Sequence, residues 1–121
     1  VIFKGIDQLY HEATDDEVKS FLENDFVKLE NEFSVDHVKK ANRKRIALAI
    51  STLEKFDEGQ KKGIFEYTNE YFPDLKFDGK SFEISNEEDL KNLLFGIEQR
   101  FYTTPVTNEK RCASAVYSLE A

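Results

Sequence analysis

Leu75-Lys76-Phe77-Asp78-Gly79-Lys80-Ser81-Phe82-Glu83-Ile84-Ser85-Asn86-Glu87-Glu88-Asp89-Leu90-Lys91-Asn92-Leu93-Leu94-Phe95-Gly96-Ile97 changes its apolar period halfway along. In the first half, Leu75, Phe77, Phe82 and Ile84 flank Asp78-Gly79, a short-range signal for a β-hairpin. The register stays open: a two-residue loop pairs Phe77 with Lys80, and a four-residue loop pairs Phe77 with Phe82. In the second half, Ser85-Asn86-Glu87-Glu88 has the form of a capping box. Leu90, Leu93, Leu94, Ile97 and Phe101 then recur at helical spacing. A hairpin feeding an amphipathic helix points to an α+β fold.

Working outward, Thr14-Asp15-Asp16-Glu17 is a second capping-box form, and Val18, Phe21 and Leu22 continue it as a short helix ending at Asn24. From Asp25 to Phe33, β-favouring Phe26, Val27 and Phe33 are mixed with charges, with Leu29 and Phe33 on one parity, which reads as a half-exposed strand. Ser34 or Asp36 is placed to cap the longest helix, where Val38, Asn42, Ile46, Ala49 and Leu53 form an apolar stripe. Asn42 interrupts that stripe, and its amide needs partners if buried. After Phe56-Asp57-Glu58-Gly59, a third helix through Ile64, Tyr67 or Thr68, and Tyr71 ends at Pro73. Near the end, Pro105 and Thr107-Asn108-Glu109 precede a small apolar run from Cys112 to Tyr117 that reads as an edge strand. The expected architecture is about four helices packed with a small, mostly antiparallel sheet that includes a hairpin near residues 75–84.

A chain of 121 residues is long enough for one real core, and eleven Phe and five Tyr make that core aromatic. No internal repeat or Gly/Ser linker divides it, so residues 1–121 read as a single domain. The longest apolar stretch, Ile46 to Ile50, is far below the roughly twenty residues of a membrane helix, so no direct insertion into a bilayer is expected. One cysteine excludes an internal disulfide and fits a reducing, cytoplasmic setting. With no methionine at all, Val1 reads as the cut end of a longer protein.

No residue pattern carries catalysis. His11 and His37 lack metal-site spacing, and Cys112 is expected to be a buried core thiol. Asp15-Asp16-Glu17 and Glu87-Glu88-Asp89 fall in first helical turns, where negative charge offsets the helix dipole. Pro73-Asp74 with Asp89-Leu90-Lys91 imitates the spaced carboxylates and lysine of a metal-dependent nuclease, yet Asp89 and Lys91 lie two residues apart on a helix and diverge. No metal, cofactor or catalytic residue is therefore expected.

Charge is the feature with most content. The net charge of -7 is uneven: residues 1–34 and 57–98 each sum to -6, residues 35–56 to +4 and residues 99–121 to +1. The basic island is Lys39, Lys40, Arg43, Lys44 and Arg45. On a helical wheel Lys40, Arg43 and Lys44 lie opposite the apolar stripe, with Lys39 at its side and Arg45 near its edge, a positive face able to follow phosphates. Lys110 and Arg111 form a second, smaller island.

Three segments of the second half carry a family resemblance: Phe77-Asp78-Gly79-Lys80-Ser81-Phe82-Glu83-Ile84, Glu88-Asp89-Leu90-Lys91-Asn92-Leu93-Leu94, and Arg100 through Arg111. Together they resemble the C-terminal part of the KwaB-like family of the two-gene Kiwa anti-phage system. Asp16 to Leu22 and Asn42 to Ile46 extend the resemblance loosely over most of the chain. It implies a bacterial, cytoplasmic defence protein whose C-terminal fragment associates with DNA, with a membrane-protein partner and with its own N-terminal region. Oligomerisation is compatible with it. A second reading is an interaction or oligomerisation domain working through its aromatic surface. A contiguous positive face favours the first, and an exposed apolar patch of several hundred Å² favours the second.

Overall fold

The structure, a computed structural model, describes residues 12–113. Among these residues the fold is α+β, with four α-helices and two small two-stranded sheets. In chain order they are α1 (Asp15–Leu22), β1 (Val27–Leu29), a 3-10 turn (Val35–His37), α2 (Lys40–Leu53), α3 (Glu58–Tyr71), β2 (Phe82–Ile84), α4 (Glu87–Ile97), β3 (Phe101–Thr103) and β4 (Lys110–Cys112). No helix among the described residues is long and apolar enough to cross a membrane.

Local chemistry starts two helices, the first as expected and the second by a cap that the sequence reading did not name. Thr14 and Glu17 close a reciprocal capping box on α1, and Asp57 and Gln60 do the same on α3. On α4 the frame moves by one residue: Asn86, not Ser85, is the cap and accepts from the Asp89 N–H at 2.8 Å. Ser85 instead donates its hydroxyl to the Asp89 carboxylate at 2.8 Å.

The long helix starts differently from the sequence reading. Ser34 opens only the 3-10 turn, where its N–H donates to His37 Nδ1 at 3.0 Å. Lys39 is the N-cap of α2 and offers no side-chain cap. The missing cap comes from α4, because the Glu87 carboxylate accepts from the Lys39 N–H. Glu87 also accepts from the Asn42 amide, whose oxygen in turn takes a hydrogen bond from Arg45 Nη1 at 2.8 Å. Asn42, buried to 3% exposure, is satisfied on both sides.

The strand expected over Asp25 to Phe33 is only three residues long. Asn31 and Glu32 adopt left-handed φ values of 55° and 61°, which turn the chain out of the ladder, and Leu29 is exposed while Phe33 is buried. β1 pairs with β2 in parallel, Val27 opposite Phe82. That parallel pair stands beside two antiparallel pairings, β3 with β4, where Phe101 lies opposite Cys112, and the Phe77–Phe82 bridge. At the Asp78-Gly79 turn the four-residue loop wins, since Phe77 bridges Phe82 and their rings stack at 4.3 Å. Gly79 sits at φ 97°, and Asp78 accepts from the N–H groups of Ser81 and Lys80. Those two bonds hold its carboxyl below the usual carboxylate range.

The core gathers Val18, Phe21, Phe26, Ile46, Ala49, Phe65, Phe82, Ile84, Leu90, Leu93, Leu94 and Ile97 between the helices and the parallel pair. Helices α3 and α4 approach so closely that a Cβ on Gly96 would overlap Thr68 Oγ1 and lie 2.7 Å from Thr68 Cβ. Phe101, read as the end of the α4 stripe, belongs to β3: Gln99, at φ 56°, turns the chain out of the helix first. The β3–β4 hairpin docks on α3 through Phe101, whose ring lies 5.7 Å from Tyr71 and 4.9 Å from Phe72. Tyr67 donates its hydroxyl to the Phe101 carbonyl, and burial pushes its phenol up to about 12.

Candidate nucleic-acid interface

The basic residues of α2 divide by the direction in which they leave the helix. Ile46, Ala49 and Leu53 bury one face. Arg43 leaves on the flank toward α1, and it is not a free cation there. Its guanidinium pairs with Asp15 at 2.6 Å, and Nε donates to the Val38 carbonyl at 3.0 Å. A further bond reaches the Val35 carbonyl at 3.3 Å. The helical wheel set Arg43 on the outward face, whereas the structure makes it a clamp joining α1, the 3-10 turn and α2. Its five donors suit several acceptors at once.

Lys40 stays outward, 73% exposed, with Glu12 at 3.5 Å. Lys44 lies one turn further along the same outer line and is half-exposed. Lys39 is exposed at the start of the helix. These three form the positive ridge. Arg45 leaves on the opposite flank from Arg43, toward α4, and lies over the Phe95 ring at 4.8 Å.

A second group meets Arg45 there, and sequence reasoning did not assemble it. Arg100 also lies over Phe95, at 4.9 Å. Lys91, one turn before Phe95 on α4, pairs with Glu88 at 3.1 Å. Cys112 on β4 senses Arg100, Lys91 and Arg45 together. The thiol is exposed rather than buried in the core, correcting the expectation for it. Desolvation at the sulfur still pushes the thiol above its ordinary value, and the three cations pull it partly back. Lys91 and Phe95 at i, i+4 on one helix were a readable signal; their meeting with Arg45 and Arg100 was not.

The C-terminal island separates. Lys110 lies over the Tyr71 ring at 5.5 Å, and Arg111 pairs with Glu109 at 2.7 Å. Strand alternation sends Arg111 to the face opposite Lys110 and Cys112, so Arg111 is not continuous with the Arg45 group. The expected strand from Cys112 to Tyr117 proves to be Lys110–Cys112; residues 114–117 lie outside the described residues.

The acidic side of the molecule has its own cleft, about 490 Å³, lined by Glu30, Asp74, Lys76, Glu83 and Asp89 among others. Asp74 and Asp89, the two carboxylates of the nuclease-like spacing, share it, but Lys91 does not line it. Asp89 is bonded to the N–H and hydroxyl of Ser85. Among the described residues no three His, Cys, Asp or Glu side chains are grouped to hold a metal ion. No family model, curated protein or solved structure matches the chain.

Proposed function

We propose that this domain is a non-enzymatic module of a KwaB-like anti-phage defence protein, associating with DNA through the outer face of α2. The observation that carries this reading is the ridge of Lys39, Lys40 and Lys44, projecting from a helix whose opposite face is core. The acidic segments on either side of it in sequence repel a phosphate backbone, so contact concentrates on the ridge. The family resemblance supplies the bacterial cytoplasm, the membrane-protein partner and the N-terminal region as its setting.

Binding through such a ridge is sequence-tolerant and salt-dependent. Neutralising about three phosphates gives a log-log slope of roughly -2.7 against salt on duplex DNA. The test is Lys40→Glu with Lys44→Glu, leaving Arg43 in its structural place. Loss of duplex binding with an unchanged thermal melt supports the reading, and undiminished binding refutes it. The alternative, an interaction or oligomerisation domain, would use the β3–β4 hairpin, where Tyr102 and Val106 are exposed. Among the described residues Leu29 is the other exposed large hydrophobic, and it lies on β1.

A further inference from the structure

We propose that Arg45, Lys91 and Arg100, gathered around Phe95 and Cys112, form a binding site for the phosphate of a phosphodiester strand. This deepens the nucleic-acid reading and rests on it, while adding a site that the basic run of α2 does not contain. Three cations come from three parts of the chain: the α2 flank, the middle of α4 and the connection into β3. Two guanidinium groups lie over one half-buried aromatic ring at nearly equal distances.

Stacking on a ring restrains a guanidinium plane while its N–H groups stay at the edge, the geometry that suits two oxygens of one phosphate. Arg45 is further restrained by its bond to Asn42, itself buried and anchored to Glu87. The arginine is thus held by packing rather than by a carboxylate. Lys91, whose side chain is 33% exposed, pairs with Glu88. At Lys91 an incoming phosphate therefore competes with that surface carboxylate, an exchange of low cost for an exposed pair.

Cys112 reports on the site. It is the chain's single cysteine, so neutral iodoacetamide modifies one position. An anion seated among the three cations offsets their pull on the thiol and shields the sulfur, so alkylation slows and its pH profile moves upward.

The experiment measures that rate on the full chain at low salt, alone and with inorganic phosphate, duplex DNA or a single-stranded oligothymidylate. Strand-dependent protection of Cys112 is expected. Lys91→Gln should lose that protection and weaken binding roughly tenfold, the worth of one charge-assisted contact. Glu88→Gln should act oppositely and tighten binding. Unchanged melts keep both variants interpretable. If a strand binds through the Lys40 and Lys44 ridge but leaves Cys112 unprotected and Lys91→Gln neutral, the site is refuted and the broader reading stands. If inorganic phosphate alone protects the thiol, the site takes a free oxyanion and the phosphodiester assignment is overturned. If no probe binds in a salt-sensitive way, both readings fall together.

Discussion

Among the described residues helix α4 has two main helical neighbours, and it meets them by different means. Against α3 the contact is close, set by Gly96 lying on Thr68, beside a core that holds fully buried Leu93, Leu94 and Ile97. Against α2 the contact also carries polar links from one end to the other: Glu87 to Lys39 and Asn42, Phe95 to Arg45, and Glu98 accepting from Thr52 at 2.8 Å. These partners run in the same order along both helices, so the two lie side by side in one direction. A close contact fixes distance through shape, whereas the polar seam fixes register through particular donors and acceptors. The seam also brings cations to the surface, and the proposed phosphate site lies on it.

The largest way to break this contrast is in the apolar core of α4. Leu94→Ala should cost about 2–5 kcal/mol, read by urea or thermal unfolding. A melt that stays in place would mean that this face is not the core. Gly96→Ala should cost about 1–3 kcal/mol by overpacking. Adding Thr68→Ala removes Cγ2, 2.6 Å from the new Cβ, but leaves Thr68 Cβ at 2.7 Å, so rescue should be partial. Full stability of Gly96→Ala would show that α3 and α4 can separate freely.

The polar seam should respond less, and differently. Asn42→Ala takes one donor from the Glu87 carboxylate and an acceptor from Arg45, at a cost of roughly 1–3 kcal/mol. Glu87→Gln in the same background should lessen that cost, because a neutral amide tolerates the lost donor better than a carboxylate does. Equal stability of the parent and Asn42→Ala would make the buried amide incidental. Smaller still, Asp15→Ala should cost about 0–1 kcal/mol, since Asp15 is exposed and Arg43 keeps its carbonyl acceptors. The difference should shrink further in high salt. Smallest of all is the Asp78 turn. Its carboxyl is held below the usual carboxylate range by the Ser81 and Lys80 N–H groups. A depressed carboxylate contributes stability above its unfolded pKa and loses it as pH falls through the folded one. Titration of Asp78 by NMR should therefore give a midpoint below that of an exposed aspartate, and an ordinary midpoint would mean that the turn bonds do not form.

What could be read from sequence were the features written locally. Thr14 with Glu17, the Leu90 to Ile97 stripe and the helix ended by Pro73 depend on neighbours within a turn or two. The start of α2 was misread because its cap, Glu87, belongs to another helix and looked like an ordinary first-turn acid. The parallel pairing of β1 with β2 leaves no local mark, and the strand's early end depends on left-handed Asn31 and Glu32, of which only Asn is a residue type that favours that conformation. The same limit governs the interface. Lys40 and Lys44 were legible because periodicity alone sends them outward. Arg43 was placed by angle without knowledge of Asp15 and the carbonyls beside it, and Lys91 and Arg100 were too scattered to be grouped with Arg45.

The parallel β1–β2 pair also bears on how the chain is made. Its second strand follows both α2 and α3, so a ribosome must deliver residues through Phe82 before the first of those sheet bonds, from the Phe82 N–H to the Phe26 carbonyl, can form. Until then the emerging α1, α2 and α3 lack the surface of α4 that buries them, and β1 has an unpaired edge. Such a long-range closure slows folding and lengthens the exposure of Phe21, Phe26 and Phe65. Translation stalled before β2 should yield a protease-sensitive nascent chain, and release past α4 should make it resistant in a single step.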